Sequence, residues 1–141
     1  MAFDGSGLFG ETYSIKDQNA QDLARYEFWK DVWRIEILKT IIKTKITEGY
    51  VIILTNDPVY WKIPVGQSLK TIDRKFKLHK GLCVQNVHWV NIAKKSSNNP
   101  NYIAGKSTYP GFALIKSYTV PEWIEYSRLK AQQFKFLTIK V

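Results

Sequence analysis

A chain of 141 residues, of which 45% are hydrophobic and 14% aromatic, is long enough for one domain with its own core and too apolar to be disordered. Its net charge of +9 is uneven: residues 1–37 carry net −3 and residues 38–141 net +12, and so basic a surface favours a polyanion partner, with nucleic acid as the first candidate. The sequence has one cysteine, no secretory signal and no apolar run near the roughly 18 residues of a membrane span. A single cysteine excludes an internal disulfide. The lack of a signal and of a long apolar run predicts a cytoplasmic protein without membrane contact.

The first predicted elements are short. Residues 1–10 are rich in glycine and poorly patterned, which indicates a tail. Residues 11–16 (ETYSIK) have the alternation of a short edge strand, with Tyr13 and Ile15 on one face.

A long helix is predicted next, from Ala20 to Glu48, because neither glycine nor proline interrupts this stretch. Asp17 or Asn19 can cap its start, and Gly49 can end it in a left-handed conformation. At about 1.5 Å per residue the helix would span roughly 40 Å and cross most of a small domain.

The predicted helix is apolar on two faces. The first has the spacing of a core-facing stripe and consists of Ala24, Phe28, Val32, Ile35, Leu38, Ile42 and Ile46. The second points nearly the opposite way and consists of Tyr26, Trp29, Trp33, Ile37 and Ile41. Because two tryptophans in water would form an adhesive patch, we predict that the second face meets another layer or a second subunit.

Asp31 is a charged residue that the same projection places within the core stripe. A pair with Arg34 at i+3, or a hydrogen bond to the backbone, is the favoured interpretation, since buried charges are usually paired. A functional carboxylate is the alternative.

A buried strand is predicted directly after the helix, at residues 50–54 (YVIIL). The run is apolar and β-branched without alternation, which is typical of a strand covered on both faces by helices. Asn56 and Asp57 follow it, at the end of a strand where ligands gather in α/β sheets. Asn-Asp-Pro is equally an ordinary turn, and residue type alone favours the turn.

The rest of the chain is predicted to be β-rich and basic. Tyr60 and Trp61 begin an aromatic-basic segment, and residues 74–79 (RKFKLH) alternate as a half-buried strand with Lys75 and Lys77 on its outer face. Residues 82–90 are predicted to be the hairpin partner of that strand. The remaining predictions are a loop at 91–111, a strand at 112–118, a short helix at 123–132 and a closing strand at 134–141.

Motifs of common enzymes are absent. The sequence contains no nucleotide-binding loop, no nucleophile elbow and no metal-binding histidine or cysteine pair. Metal-dependent cleavage of a phosphodiester needs acidic ligands for Mg²⁺, often with a nearby lysine. The candidate carboxylates are Asp31, Glu36 and Asp57, and none of them lies in an intact Glu-x-Lys strand.

Several segments together resemble prokaryotic proteins related to the PD-(D/E)XK restriction endonucleases. They are SIKDQNAQDLARYEFWKDVWRIEIL, YVIILTNDPVYWK, FKLHKG and SYTVPEWIEYS before FKFLTIKV, and they cover most of residues 14–141. The residues that match the group's motifs are Gln18, Asp22, Arg25, Tyr26, Asp31, Arg34, Glu36, Asn56, Asp57, Tyr60 and Trp61.

This resemblance implies a deoxyribonuclease-like core of the α/β class, with α+β as the alternative. We expect one domain over residues 1–141, in which a central long helix packs on a mixed sheet, with a helix-strand unit at 17–57 and a basic β-rich half at 74–141. In the group a Glu-x-Lys catalytic strand precedes the S-x-K-x-Q segment, and this sequence does not contain it. The resemblance therefore implies either part of a nuclease, incomplete at its N-terminus, or a catalytically inactive relative.

Three functional hypotheses follow. The leading one is a DNA-binding, nuclease-like domain in which cations contact phosphates and an aromatic ring stacks on a base; its residues are Tyr60, Trp61, Lys62, Lys75, Lys77, Lys94 and Lys95. The second is an interaction protein that oligomerises, or binds a missing N-terminal segment, through Tyr26, Trp29, Trp33 and Ile37. The third is an active nuclease that uses Mg²⁺ with the three candidate carboxylates.

Overall fold

In the computed structural model the chain is described at residues 3–6, 12–15, 21–42, 48–90, 109–129 and 132–141. Within these residues one helix packs on antiparallel sheets, so the fold is α+β. The elements are β1 (Phe3–Ser6), β2 (Thr12–Ile15), α1 (Gln21–Ile41), β3 (Tyr50–Thr55), β4 (Cys83–Val87), β5 (Phe112–Thr119), β6 (Ile124–Leu129) and β7 (Gln132–Lys140). No helix in this part of the chain is both long and apolar enough to cross a membrane.

The helix is shorter than predicted. It ends at Ile41, so its 21 residues span about 31 Å. The predicted caps at Asp17 and Asn19, the stripe residue Ile46 and part of the predicted last turn lie outside the described residues. Gly49 does not have the predicted left-handed conformation. Its role is steric, because a Cβ atom at Gly49 would lie 2.3 Å from Cγ2 of Ile35.

Both apolar faces of α1 contact residues of the same chain. Phe28 and Val32 are buried as predicted, and α1 packs against β3 and β5. On the second face Tyr26 and Trp29 are also buried: the Trp29 indole N–H donates to the carbonyl oxygen of Phe76 at 2.9 Å. Tyr26 and Trp29 are therefore covered by other parts of the same chain, which supply the layer that this face was predicted to meet. Trp33 is only half-buried, beside Phe112.

The strands form three antiparallel sheets rather than the predicted mixed sheet. Their orders are β1-β2, β3-β7-β6 and β4-β5. The edge strand predicted at residues 11–16 is confirmed as β2, but part of the predicted tail is β1, which pairs with it. The strands at 112–118 and 134–141 are confirmed as β5 and β7.

β3 corrects the prediction of a strand covered on both faces. It is the edge strand of its sheet and pairs only with β7 among the described strands. Val51 faces the helix side and is buried, whereas Ile52 and Leu54 are exposed. The hydrophobic run was interpreted correctly as a strand, but the described chain covers only one of its two faces.

Two further predicted elements are wrong. The helix predicted at 123–132 is a strand, β6, because pairing with β7 outweighs the weak helical pattern of this stretch. The strand predicted at 74–79 is a run of turns in which both Phe76 and Leu78 are fully buried. Residues 82–90 consequently pair elsewhere: β4 lies beside β5, with an irregular register between Val84 and Asn86.

Candidate nucleic-acid interface

Residues 62–75 form a segment that we call the basic loop. It carries four cations and one acidic residue, Asp73, whose carboxylate is buried and paired with Arg25. The lysines are exposed and the arginine is half-buried, and within the described chain none of the four side chains has an ion pair or a hydrogen bond. The four residues are Lys62, Lys70, Arg74 and Lys75.

Short-range hydrogen bonds shape the basic loop. The chain enters through a turn in which the amides of Trp61 and Lys62 donate to the carbonyl oxygen of Pro58, at 3.3 and 3.0 Å. A 3-10 helix, Gly66–Lys70, follows. The hydroxyl of Ser68 accepts from the amide of Val65 at 2.8 Å and so fixes the start of that helix. The loop therefore has defined local structure.

Asp57 holds the entrance of the loop. Its carboxylate accepts from the Val59 amide at 2.9 Å and from the Gln21 side-chain amide at 2.5 Å. The first bond is the local bond by which aspartate stabilises a turn. The turn interpretation of residues 56–58 is thus confirmed. The ligand-site interpretation assumed a parallel sheet, whereas β3 is an antiparallel edge strand.

A buried ion pair ties the far end of the loop to the helix. The guanidinium group of Arg25 lies 2.5 Å from the carboxylate of Asp73, and both side chains are almost completely buried. Arg25 also donates to the carbonyl oxygen of Val59 at 3.2 Å and lies over the ring of Tyr60, 4.9 Å from its centroid. We call Gln21, Arg25, Asp57, Tyr60 and Asp73 the anchor cluster.

The aromatic residues predicted to stack on bases have different environments. Tyr60 is buried beneath Arg25, and burial raises the pKa of its hydroxyl; this ring is not available to a base. Trp61 is half-buried, with its ring centroid 5.8 Å from that of Trp123. The ammonium group of Lys135 lies 5.4 Å from the Trp61 ring and adds a cation that the sequence did not indicate.

The predicted phosphate-binding lysines also divide. Lys62 and Lys75 are exposed, as that role requires. Lys77 is buried and donates to the carbonyl oxygen of Ser68 at 2.8 Å, so it is not part of an outer cationic face. Burial lowers the pKa of Lys77. Lys94, Lys95 and the family-motif residue Gln18 lie outside the described residues.

The three candidate carboxylates are not brought together. Asp31 is exposed rather than in the core, and it pairs with Arg34 at 2.5 Å, the partner favoured from the sequence. Glu36 is buried and accepts from the amides of Ile115 and Lys116 at 2.7 and 2.9 Å. In the described part of the chain no three carboxylate, histidine or cysteine side chains are grouped to hold a metal ion. These residues therefore do not fit an Mg²⁺ site.

Other family-motif residues have structural contacts. The Asp22 carboxylate accepts from the Leu23 amide at 2.9 Å at the start of α1, and the Tyr26 hydroxyl donates to the carbonyl oxygen of Pro110 at 2.8 Å. Asn56 is exposed and its side-chain amide lies 3.4 Å from that of Gln132. Of the motif set, Arg25, Asp57 and Tyr60 meet in the anchor cluster.

Sequence reasoning missed Asp73, Lys70 and Arg74. Asp73 could have been sought by a charge argument, because an arginine that is buried on the helix, as Arg25 is, needs an acidic partner. Lys70 could have been found by noting that residues 58–72 contain no acidic residue, whereas Arg74 directly follows Asp73 and has no such signal.

His79 lies beside this region and gives a testable pH dependence. Its Nδ1 is buried without a hydrogen-bond partner among the described residues, and burial, followed by the charges of Lys77 and Arg25, lowers its pKa below the ordinary 6.5. The unfolded chain therefore takes up the proton first, so stability falls as the pH drops below about 6.5. His79→Leu should flatten the fall of the urea midpoint between about pH 7 and 5.

His88 provides the control for that measurement, because its side chain is exposed. His88→Leu should keep the pH dependence of the unmodified chain. A His79→Leu variant that loses stability with acid as steeply as the unmodified chain would contradict the assignment.

Comparisons of the chain with protein-family models, with curated proteins and with solved structures found no match. The site is therefore interpreted from its own geometry.

Proposed function

We propose that this chain binds DNA through the basic loop, as a nuclease-like DNA-binding domain. The observation that carries the proposal is a set of four cations on one segment, none of which forms an ion pair in the described chain; the one acidic residue of the segment, Asp73, is buried and paired with Arg25. Two exposed lysines elsewhere are neutralised by ion pairs: Lys80 pairs with Glu122 and Lys140 with Glu48. A polyanion gains most where cations are not already paired.

The anchor cluster supports the proposal because it holds both ends of the basic loop against α1. Asp57 bonds to Gln21 at the entrance, and Asp73 pairs with Arg25 at the exit. A loop held in this way loses little conformational entropy when it binds, and this raises its affinity for a backbone of regularly spaced phosphates. The cluster is buried and positions the cations without contacting DNA itself.

The proposal concerns binding and assigns no catalytic step. Lysine contacts to phosphate are largely independent of base sequence, so we expect weak sequence preference. Trp61 is the aromatic residue of the predicted set that retains exposed surface for a base. Asp31, Glu36 and Asp57 receive no role at the phosphate, since each is engaged in contacts of its own.

The test is a titration of labelled duplex DNA with two variants that lose equal charge. Lys62→Gln/Lys75→Gln removes two unpaired cations of the basic loop, and Lys80→Gln/Lys140→Gln removes two lysines that form ion pairs elsewhere. The first should weaken binding by at least about tenfold, as expected for two lost phosphate contacts, and the second should have little effect. Equal weakening by both variants would show that only net charge matters and would contradict the basic loop as the site.

A further inference from the structure

The outer face of the three-stranded sheet is apolar and uncovered by the described chain. Paired residues of antiparallel strands lie on the same face, so the register places Ile52 beside Thr138, Leu54 beside Phe136 and Phe136 beside Ile124. We call this set, together with Tyr50 on the edge strand β3, the outer sheet face. Its members are Tyr50, Ile52, Leu54, Ile124, Phe136 and Thr138.

The exposure of these side chains is large. The exposed fractions are 64% at Ile52, 56% at Leu54, 54% at Ile124 and 50% at Tyr50. Together these four side chains leave roughly 450 Å² of accessible surface, which is as large as the largest apolar patch of a typical monomer. A stable dimer buries about 800 Å² per partner, and the half-buried members and the rim of the face would supply the rest of that area.

We propose that a second copy of this chain covers the outer sheet face, with the two sheets packed face to face about a twofold axis. Such an interface is isologous and needs a surface that complements itself, which an apolar sheet face provides when two sheets interdigitate. The sequence of β3 supports a covered face, because a continuous β-branched run is typical of a strand buried on both sides. The described chain supplies only one of those covers.

Charge favours a copy of the chain over a charged partner. The charged members of the rim, Glu48 and Lys140, pair with each other, and the Tyr50 hydroxyl donates to Glu48 at 2.9 Å. The face therefore offers no net charge to a polyanion or a polycation. Two copies of a chain with net charge +9 repel each other, and a neutral face away from unpaired cations is where they can meet. This inference does not depend on DNA binding.

The test is the oligomeric state of the full chain, measured by sedimentation equilibrium over a range of concentrations. The variant Ile52→Thr/Leu54→Thr introduces threonine, a β-branched residue that suits an exposed strand. It removes apolar surface from the outer sheet face of both copies. The dissociation constant of the dimer should rise by at least about tenfold, because each substitution counts twice in a symmetric interface. Ile63→Thr/Val65→Thr is the control, since it changes side chains of comparable exposure, 69% and 76%, in the basic loop.

Salt and a second variant complete the test. Higher salt screens the repulsion between copies and should strengthen the dimer, whereas it weakens DNA binding. Ile124→Thr on β6 should also weaken the dimer while leaving the urea midpoint of dilute protein unchanged, which separates loss of assembly from loss of folding. A chain that is monomeric at every concentration, or a dimer weakened equally by the control variant, would overturn the proposal.

Discussion

Replacing Glu36 with leucine should lower the free energy of unfolding by about 3 to 5 kcal/mol, because one buried carboxylate that accepts three hydrogen bonds is lost and its three donors lose that partner. The register of β4 and β5 explains why. It passes from Val84 opposite Tyr118 to Asn86 opposite Ala113, so residues 114–117 lack partners in β4. The Glu36 carboxylate accepts from two of their amides and, at 2.9 Å, from the Tyr118 hydroxyl.

Urea unfolding of Glu36→Leu and Glu36→Gln measures this effect. The glutamine variant should lose less, since its carbonyl oxygen can still accept one bond while its amide group opposes a backbone donor. Glu27→Leu is the control: this glutamate lies on the same helix and its ion pairs are partly exposed, at 3.8 and 4.0 Å, so we expect a change within about 0.5 kcal/mol. A Glu36→Leu loss as small as that of Glu27→Leu would contradict the structural role.

Breaking the Arg25–Asp73 pair should cost about 3 to 5 kcal/mol of unfolding free energy, because removing one partner leaves the other charge buried alone. Arg25→Met and Asp73→Leu should each show this loss by urea unfolding. The double variant should be less destabilised than the sum of the two, since it leaves neither charge unpaired. Both single variants should also weaken DNA binding, because they release one end of the basic loop.

Arg34→Met is the matched control for that experiment. Arg34 and Asp31 also approach to 2.5 Å, but both side chains are half exposed, so their pair should contribute only about 0 to 1 kcal/mol. Equal losses from Arg25→Met and Arg34→Met would mean that burial does not distinguish the two pairs. Strict additivity of the Arg25 and Asp73 substitutions would likewise contradict the coupling.

Local patterns predicted the parts of the fold that local physics determines. The uninterrupted stretch after Ala20 predicted α1, the β-branched run after Gly49 predicted β3, and strand-like composition predicted β5 and β7. Which segments cover which faces of the helix and the strands could not be predicted, because this depends on contacts between residues that are far apart in the sequence. Trp29 is an example: its burial is provided by Phe76, 47 residues later, rather than by a second subunit.

The candidate site was predictable only in part for the same reason. Charge and exposure follow from composition, so Lys62 and Lys75 were identified from the sequence. Lys77 has the same type and spacing but is buried beside Ser68, since the predicted strand at 74–79 is a turn. Tyr60 was expected to stack on a base and instead lies under Arg25. Such differences arise from long-range contacts that no local pattern records.

The most direct test of the basic loop is the salt dependence of duplex binding, compared between the unmodified chain and Lys62→Gln/Lys75→Gln. Four phosphate contacts predict that log affinity falls by about 3.6 per decade of salt, and loss of two contacts should make that slope shallower by about 1.8. No binding at low salt, or an unchanged slope in the variant, would contradict the assignment of the basic loop as the phosphate-binding surface.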